Sequence, residues 1–233
     1  IPVVIESIGA EVSGNVPVVS FKEAEGDLSI VGTLSEQFIF WEWVTALMGR
    51  GLKVDPFNQP NVAEAKEQTN IALNSTRSTH PKSYAGENFT IYSEQQLNNI
   101  SEIRKMDFQY LAVMAYIHRD FDSELFELQE NLARFTKRPV TVGYGPRFLH
   151  STGQFHKGGP QAAVFIQIVS KYSDADLNGT LVPGQKFSFA RLISAQADGD
   201  RIALEKRQRT VIVIEVSDIK KAIAELNKLI VAA

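Results

Sequence analysis

Gln59 and Lys66 are residues whose types and spacing could do chemistry. They stand in Val54-Asp-Pro-Phe-Asn-Gln-Pro-Asn-Val-Ala-Glu-Ala-Lys66, where a turn delivers them to one face of a new helix. Pro60 suits the first helical position, because no backbone N–H is needed there and its φ is already set. Seven residues on, Lys66 returns to nearly the same angular position, about 10 Å further along the axis. An amide and a cation near the positive end of a helix dipole can cradle a polar anionic ligand. A solvated helix face carries Gln and Lys at the same spacing, so spacing alone leaves both readings open.

A second cluster lies in Val142-Gly-Tyr-Gly-Pro-Arg-Phe-Leu-His-Ser-Thr-Gly-Gln154. Gly143 and Gly145 follow a strand-like run, but the third glycine of a dinucleotide fingerprint is missing and Pro146 follows at once. The better reading is a tight turn at the carboxyl end of a strand, where open α/β sheets place ligands. Arg147, His150, Ser151, Thr152 and Gln154 crowd that one loop. Arg147 either pins a phosphate or fixes a carboxylate in the core. His150 is either an acid–base group or a satisfied hydrogen-bonder. His150 and His156 lack companion carboxylates at ligand spacing, so no metal site is expected. His80 and His118 read as structural or solvent-exposed. No nucleophile elbow, Walker loop or His-Glu-x-x-His helix offers a rival chemistry.

The elements that must position these groups alternate along the chain. Strand-like runs fall at 3–5, 16–21, 28–32, 89–92, 110–117, 140–143, 163–170 and 211–216, and helical patterns at 35–50, 61–73, 93–105, 123–136, 187–206 and 218–231. Leu111-Ala-Val-Met-Ala-Tyr-Ile117 and Val211-Ile-Val-Ile214 are apolar on both faces, as a sheet covered by helices requires. The pattern predicts an α/β three-layer sandwich with a mainly parallel sheet. Helix 35–50 is apolar almost all round, which predicts a place in the core or against another subunit or domain. Glu42 within it is then expected in a buried ion pair. The Ser/Thr-rich stretch 74–86 reads as a connector, and 172–185 as a plain loop.

Composition limits the rest. With 233 residues, 44% hydrophobic and 22% charged, the chain can bury a sizeable core. A formal charge of −3 with dispersed basic residues argues against nucleic-acid and anionic-membrane partners. Zero cysteines exclude disulfides, thiolate metal sites and a cysteine nucleophile, and fit a reducing cytoplasm. The Asn-x-Ser/Thr triplets at Asn74, Asn88, Asn99 and Asn178 read as chance, and no run reaches the roughly 20 apolar residues of a membrane span. The chain opens on Ile1-Pro-Val-Val-Ile5, a strand already in progress, and is expected to be a piece of a longer protein.

The order of residues adds a resemblance. Phe40-Trp-Glu-Trp-Val-Thr-Ala-Leu-Met48, then Asp55-Pro-Phe-Asn-Gln-Pro-Asn-Val62 and Lys66, resembles the C-terminal active-site segment of the phosphoglucose isomerase family, with Asn58 in place of the usual Asp. Leu149-His-Ser-Thr-Gly-Gln154 is similar to a segment of the short bacterial members. The continuation His156-Lys-Gly-Gly-Pro160 is similar to the isomerase half of fused transaldolase/phosphoglucose isomerase proteins, which share the segment order found here. The resemblance implies a sugar-isomerase (SIS) type fold, dimerisation that completes the active site, and cofactor-free interconversion of glucose 6-phosphate and fructose 6-phosphate through a cis-enediol. By motif, His150 takes the ring-opening acid–base role, Lys66 assists at the ring oxygen or the enediol, and Gln59 binds the phosphate or positions substrate. The family's general-base Glu and its Ser/Thr-rich phosphate loop are not found here.

The expectation is therefore one C-terminal sugar-isomerase-type domain, or part of one, over residues 1–233, with the upstream domains missing. The isolated chain should lack most activity, and its partner is a second copy or a missing upstream domain. The alternatives are a sugar-phosphate-binding module that senses ligand without chemistry, and a purely dimerising domain.

Overall fold

The computed structural model describes residues 4–5, 18–20, 27–58, 60–74, 80–95 and 97–232. The chain divides into two compact units, Ile1–Pro60 and Asn61–Ala233. The division falls at Pro60, upstream of the 74–86 stretch expected to be a connector.

The first unit holds three short parallel strands, β1 (Val4–Ile5), β2 (Val18–Ser20) and β3 (Leu28–Ser29), in the order β1-β2-β3. Helix α1 (Leu34–Leu52) follows β3. Its start is fixed by a capping box: Thr33 Oγ1 accepts from the Glu36 amide at 3.4 Å, and Glu36 Oε2 accepts from the Thr33 amide at 2.7 Å. It ends at Lys53 in the left-handed region, φ 56°. The sequence predicted α1 either in the core or against another subunit or domain; most of its apolar side chains are exposed in this chain, Trp43 at 65%, so the core placement does not hold. Glu42 is exposed as well, so the expected buried ion pair does not form.

The second unit is an α/β domain on a six-stranded mixed sheet. Its elements are α2 (Pro60–Leu73), β4 (Lys82–Ala85), β5 (Phe89–Tyr92), β6 (Tyr110–Tyr116), α3 (Asp122–Thr136), β7 (Val140–Tyr144), α4 (Thr152–Gly158), β8 (Ala163–Ser170), α5 (Asp174–Leu177), α6 (Phe189–Glu205), β9 (Thr210–Val216) and α7 (Ile219–Val231). The strand order is β4-β5-β9-β8-β6-β7. Strands β6 to β9 are mutually parallel, and the β4–β5 hairpin adds antiparallel to β9.

Helices cover both faces of this sheet. On one face α3 and α7 bury Leu125, Leu128, Leu132, Ile223 and Leu226 against Leu111, Val113, Ile166 and Ile212. On the other, α4 and α6 lie over Ala112, Met114, Phe165 and Val211, joined by Phe148. Alternate residues of β6 thus face opposite cores, which explains its unbroken apolar run. Helix α2 lies against the outside of α6. A Cβ on Gly199 would come within 2.7 Å of the Thr69 amide nitrogen, and Arg207 Nη1 donates to Glu64 Oε1 at 2.7 Å.

Local differences from the sequence expectation have local causes. Residues 93–105 do not form one helix, only a 3₁₀ turn at Ile100–Lys105. Ser93 Oγ accepts from the Gln95 amide at 3.1 Å, and Asn99 Oδ1 accepts from the Ser101 amide at 2.8 Å. Such side-chain bonds compete with helical ones. Within the expected connector, Lys82–Ala85 is strand β4, and residues 75–79 lie outside the described residues. Among the described residues, no helix is long and apolar enough to cross a membrane.

Candidate functional site

The chain leaves β6 toward β7 on one side, and leaves β8 toward β9 on the other. The carboxyl ends of β6 and β8 therefore flank a topological switch point, the usual ligand crevice of open α/β sheets. Three segments surround it: His118-Arg119-Asp120 after β6, Gly145 to His150 after β7, and Lys171 after β8.

The β7 exit is shaped by close approach. A Cβ at Gly145 would lie 2.3 Å from the Tyr116 ring, so only glycine fits beneath that side chain. Gly145–Pro146 is a cis peptide bond. The turn Arg147–His150 then buries Phe148 edge-on against Tyr116, centroids 6.0 Å apart, and leaves Arg147 and His150 at least partly exposed. Arg147 is exposed and fixes no carboxylate among the described residues.

Neighbouring groups are held by one another. Tyr144 donates its hydroxyl to Asp122 Oδ1 at 2.6 Å, and the Arg119 guanidinium lies 5.8 Å from the Tyr144 ring centre. Burial, and then Asp122, push the Tyr144 phenol pKa up. His118 Nδ1 is 3.0 Å from Asp120 Oδ2. The edge thus presents the cations Arg119, Arg147 and Lys171, with His118 and His150, beside the carboxylates of Asp120 and Asp122.

Beneath the edge lies a polar network that sequence reasoning missed. Lys157 Nζ pairs with Asp200 Oδ1, and Tyr116 donates to Asp200 Oδ2 at 3.2 Å. Lys157 is 2% exposed and Asp200 1%. Burial raises the Asp200 carboxyl, and Lys157 and Tyr116 offset this only in part. Burial likewise holds the Tyr116 phenol well above its ordinary range. His156 is packed between the rings of Phe148 and Phe165, with Nδ1 unpartnered among the described residues. Burial, and then the Lys157 charge, lower its pKa to about 4, so the imidazole is neutral near neutral pH.

The predicted site residues fall in two places. Arg147 and His150 share one turn at the carboxyl edge. Lys66 is exposed on α2, about 200° round the helix from Glu64, which pairs with Arg207 just past the end of α6. Gln59 lies outside the described residues. Among the described residues, no three His, Asp or Glu side chains converge to hold a metal ion.

No protein-family model and no curated protein matches the chain. Among solved structures, the hypothetical protein TT0462 from Thermus thermophilus is similar at 16% identity and a TM-score of 0.42, over 53% of this chain and 34% of that one.

Proposed function

We propose that this chain is the C-terminal part of an aldose–ketose isomerase of the phosphoglucose isomerase type, with its sheet belonging to the sugar-isomerase (SIS) fold. The observation that carries the reading is the Arg147–His150 turn, set beside a switch point and written in the family's Leu-His-Ser-x-Gly-Gln wording. Arg147 binds the phosphate of glucose 6-phosphate or fructose 6-phosphate. His150 moves the proton between ring oxygen and O1 as the ring opens. Gln59 positions the substrate, and Lys66 stabilises charge developing on the cis-enediol. The C2-to-C1 proton transfer needs a carboxylate supplied by sequence upstream.

A coupled assay of fructose 6-phosphate to glucose 6-phosphate, on this chain and on the longer gene product containing it, tests the proposal. Activity in the longer protein and none in the chain is the expected result. Loss of a general base alone costs roughly 10²–10⁴-fold. A longer protein without activity overturns it.

One observation favours a second reading. Lys66 is exposed on the far side of α2 from Glu64, while the carboxyl edge carries the cations Arg119, Arg147 and Lys171 on its own. A non-catalytic sugar-phosphate-binding module needs only that edge. It predicts that the longer protein binds fructose 6-phosphate without turning it over, and that Arg147→Ala abolishes binding while Lys66→Ala does not.

A further inference from the structure

Tyr116 is the last residue of β6 and only 1% exposed, yet its hydroxyl ends on a charged pair. It donates to Asp200 Oδ2 of α6 at 3.2 Å, and Asp200 in turn pairs with Lys157 in the last turn of α4. One strand and two helices thus meet in one polar network. A buried ion pair is weak evidence for stability, since apolar groups of similar volume often serve as well. A fully satisfied network does, however, fix one geometry.

What this geometry fixes is the turn after β7. A Cβ at Gly145 would strike Cζ, Cε1 and Cε2 of Tyr116, the hydroxyl end of its ring. The backbone therefore rests on the part of the ring that Asp200 tethers. Phe148, inside the turn, packs edge-on against the same ring and also meets His156, the neighbour of Lys157. The turn's own bonds hold its shape. The Leu149 amide donates to the Pro146 carbonyl at 3.1 Å, the Ser151 amide to that of Phe148 at 3.0 Å, and Gln154 Nε2 to that of Leu149 at 2.8 Å. None of these three sets where the turn stands on the sheet. Its place is set by the Gly145 amide, which donates to the Ala115 carbonyl at 3.0 Å, and by the Tyr116 ring.

We propose that Tyr116 is a positioning residue, its hydroxyl held through Asp200 and Lys157 so that the ring fixes where Arg147 and His150 stand at the carboxyl edge. What those two side chains do there rests on the isomerase reading; how their turn is held does not. Proton transfer by His150 depends on its placement, and a shift of about 1 Å costs up to roughly 10²-fold in rate. Arg147 reaches out on a long, exposed side chain, which tolerates a small shift of its backbone. Turnover should therefore suffer more than binding.

Two variants test this. Tyr116→Phe removes the hydroxyl and keeps the ring, whereas Lys157→Met with Asp200→Leu keeps the hydroxyl and removes its partner. Amide hydrogen exchange on this chain should show Gly145 and Leu149 exchanging roughly tenfold faster in both, the scale of one net hydrogen bond. The amides of β8 and β9, which report the whole fold, should change less. In the longer gene product, Tyr116→Phe should lower kcat for fructose 6-phosphate roughly ten- to a hundred-fold, with KM within about twofold of its starting value. Exchange at Gly145 that is unchanged, or that rises no more than in β8 and β9, overturns the proposal. So does an active longer protein whose kcat ignores Tyr116→Phe. A longer protein without activity removes the isomerase reading alone, and the exchange result then decides whether Tyr116 positions the turn.

Discussion

Between the sheet and α6, the neighbours His156 and Lys157 are buried by different means. Lys157 keeps a buried carboxylate partner in Asp200. Removing one member of a buried pair strands the other, at a cost of roughly 3–5 kcal/mol. Lys157→Met should therefore destabilise strongly, and adding Asp200→Leu should recover part of the loss, read by urea unfolding. An additive double variant would show that the two groups do not act as a pair. His156 is instead excluded from protonation, with a pKa of about 4 against 6.5 for an ordinary histidine. The unfolded chain takes up a proton that the folded chain refuses. The His156 contribution is thus fully present above about pH 6.5 and is lost as pH falls toward 4, a difference on the order of 3 kcal/mol. Carboxylates titrate in the same range, so the comparison is with His156→Met, whose stability should fall less between neutral pH and about pH 4.5. Equal losses would contradict a buried neutral imidazole. The sequence singled out both residues by motif, but neither their burial nor the pairing with Asp200 was legible in it. Lys157 and Asp200 stand 43 positions apart, and no local period marks the pair.

At the scale of elements, legibility followed the strength of the local pattern. Strands β6, β8 and β9 were readable because both faces are covered, which makes each an unbroken apolar run. Helix α4 escaped notice because it is short and glycine-flanked. Its end is tied down from afar, by Arg209 donating to the carbonyls of Pro160, Lys157 and Gly159. The carboxyl-edge turn was legible through Gly143, Gly145 and Pro146. The outward direction of Lys66 was not, because it depends on which side of α2 meets α6. That packing is testable at Gly199. Alanine there gains up to about 1 kcal/mol in helix propensity. Its Cβ, however, would press on the Thr69 backbone, which cannot rotate away as a side chain can. Gly199→Ala should then be net destabilising by about 1–3 kcal/mol, as overpacking is. Hydrogen exchange should show α2 amides losing protection before those of β8 and β9. A net gain in stability would mean that α2 does not lie closely on α6.

For the molecule as a whole, the distribution of buried apolar groups decides what folds alone. Among the described residues, both core clusters lie between Phe89 and Ile230, and neither draws on the first sixty positions. The described part of that first unit has three strands of two or three residues and a helix whose apolar groups face outward. Strands this short are marginal by themselves. The second unit has a six-stranded sheet with helices on both sides, the arrangement that buries a complete core. Residues 61–233 expressed by themselves should therefore unfold in one cooperative transition, monitored by circular dichroism, with a midpoint within roughly 4 °C of the same transition in the full chain. A large drop in midpoint, or a loss of cooperativity, would mean that the first unit supplies stabilising surface to the second.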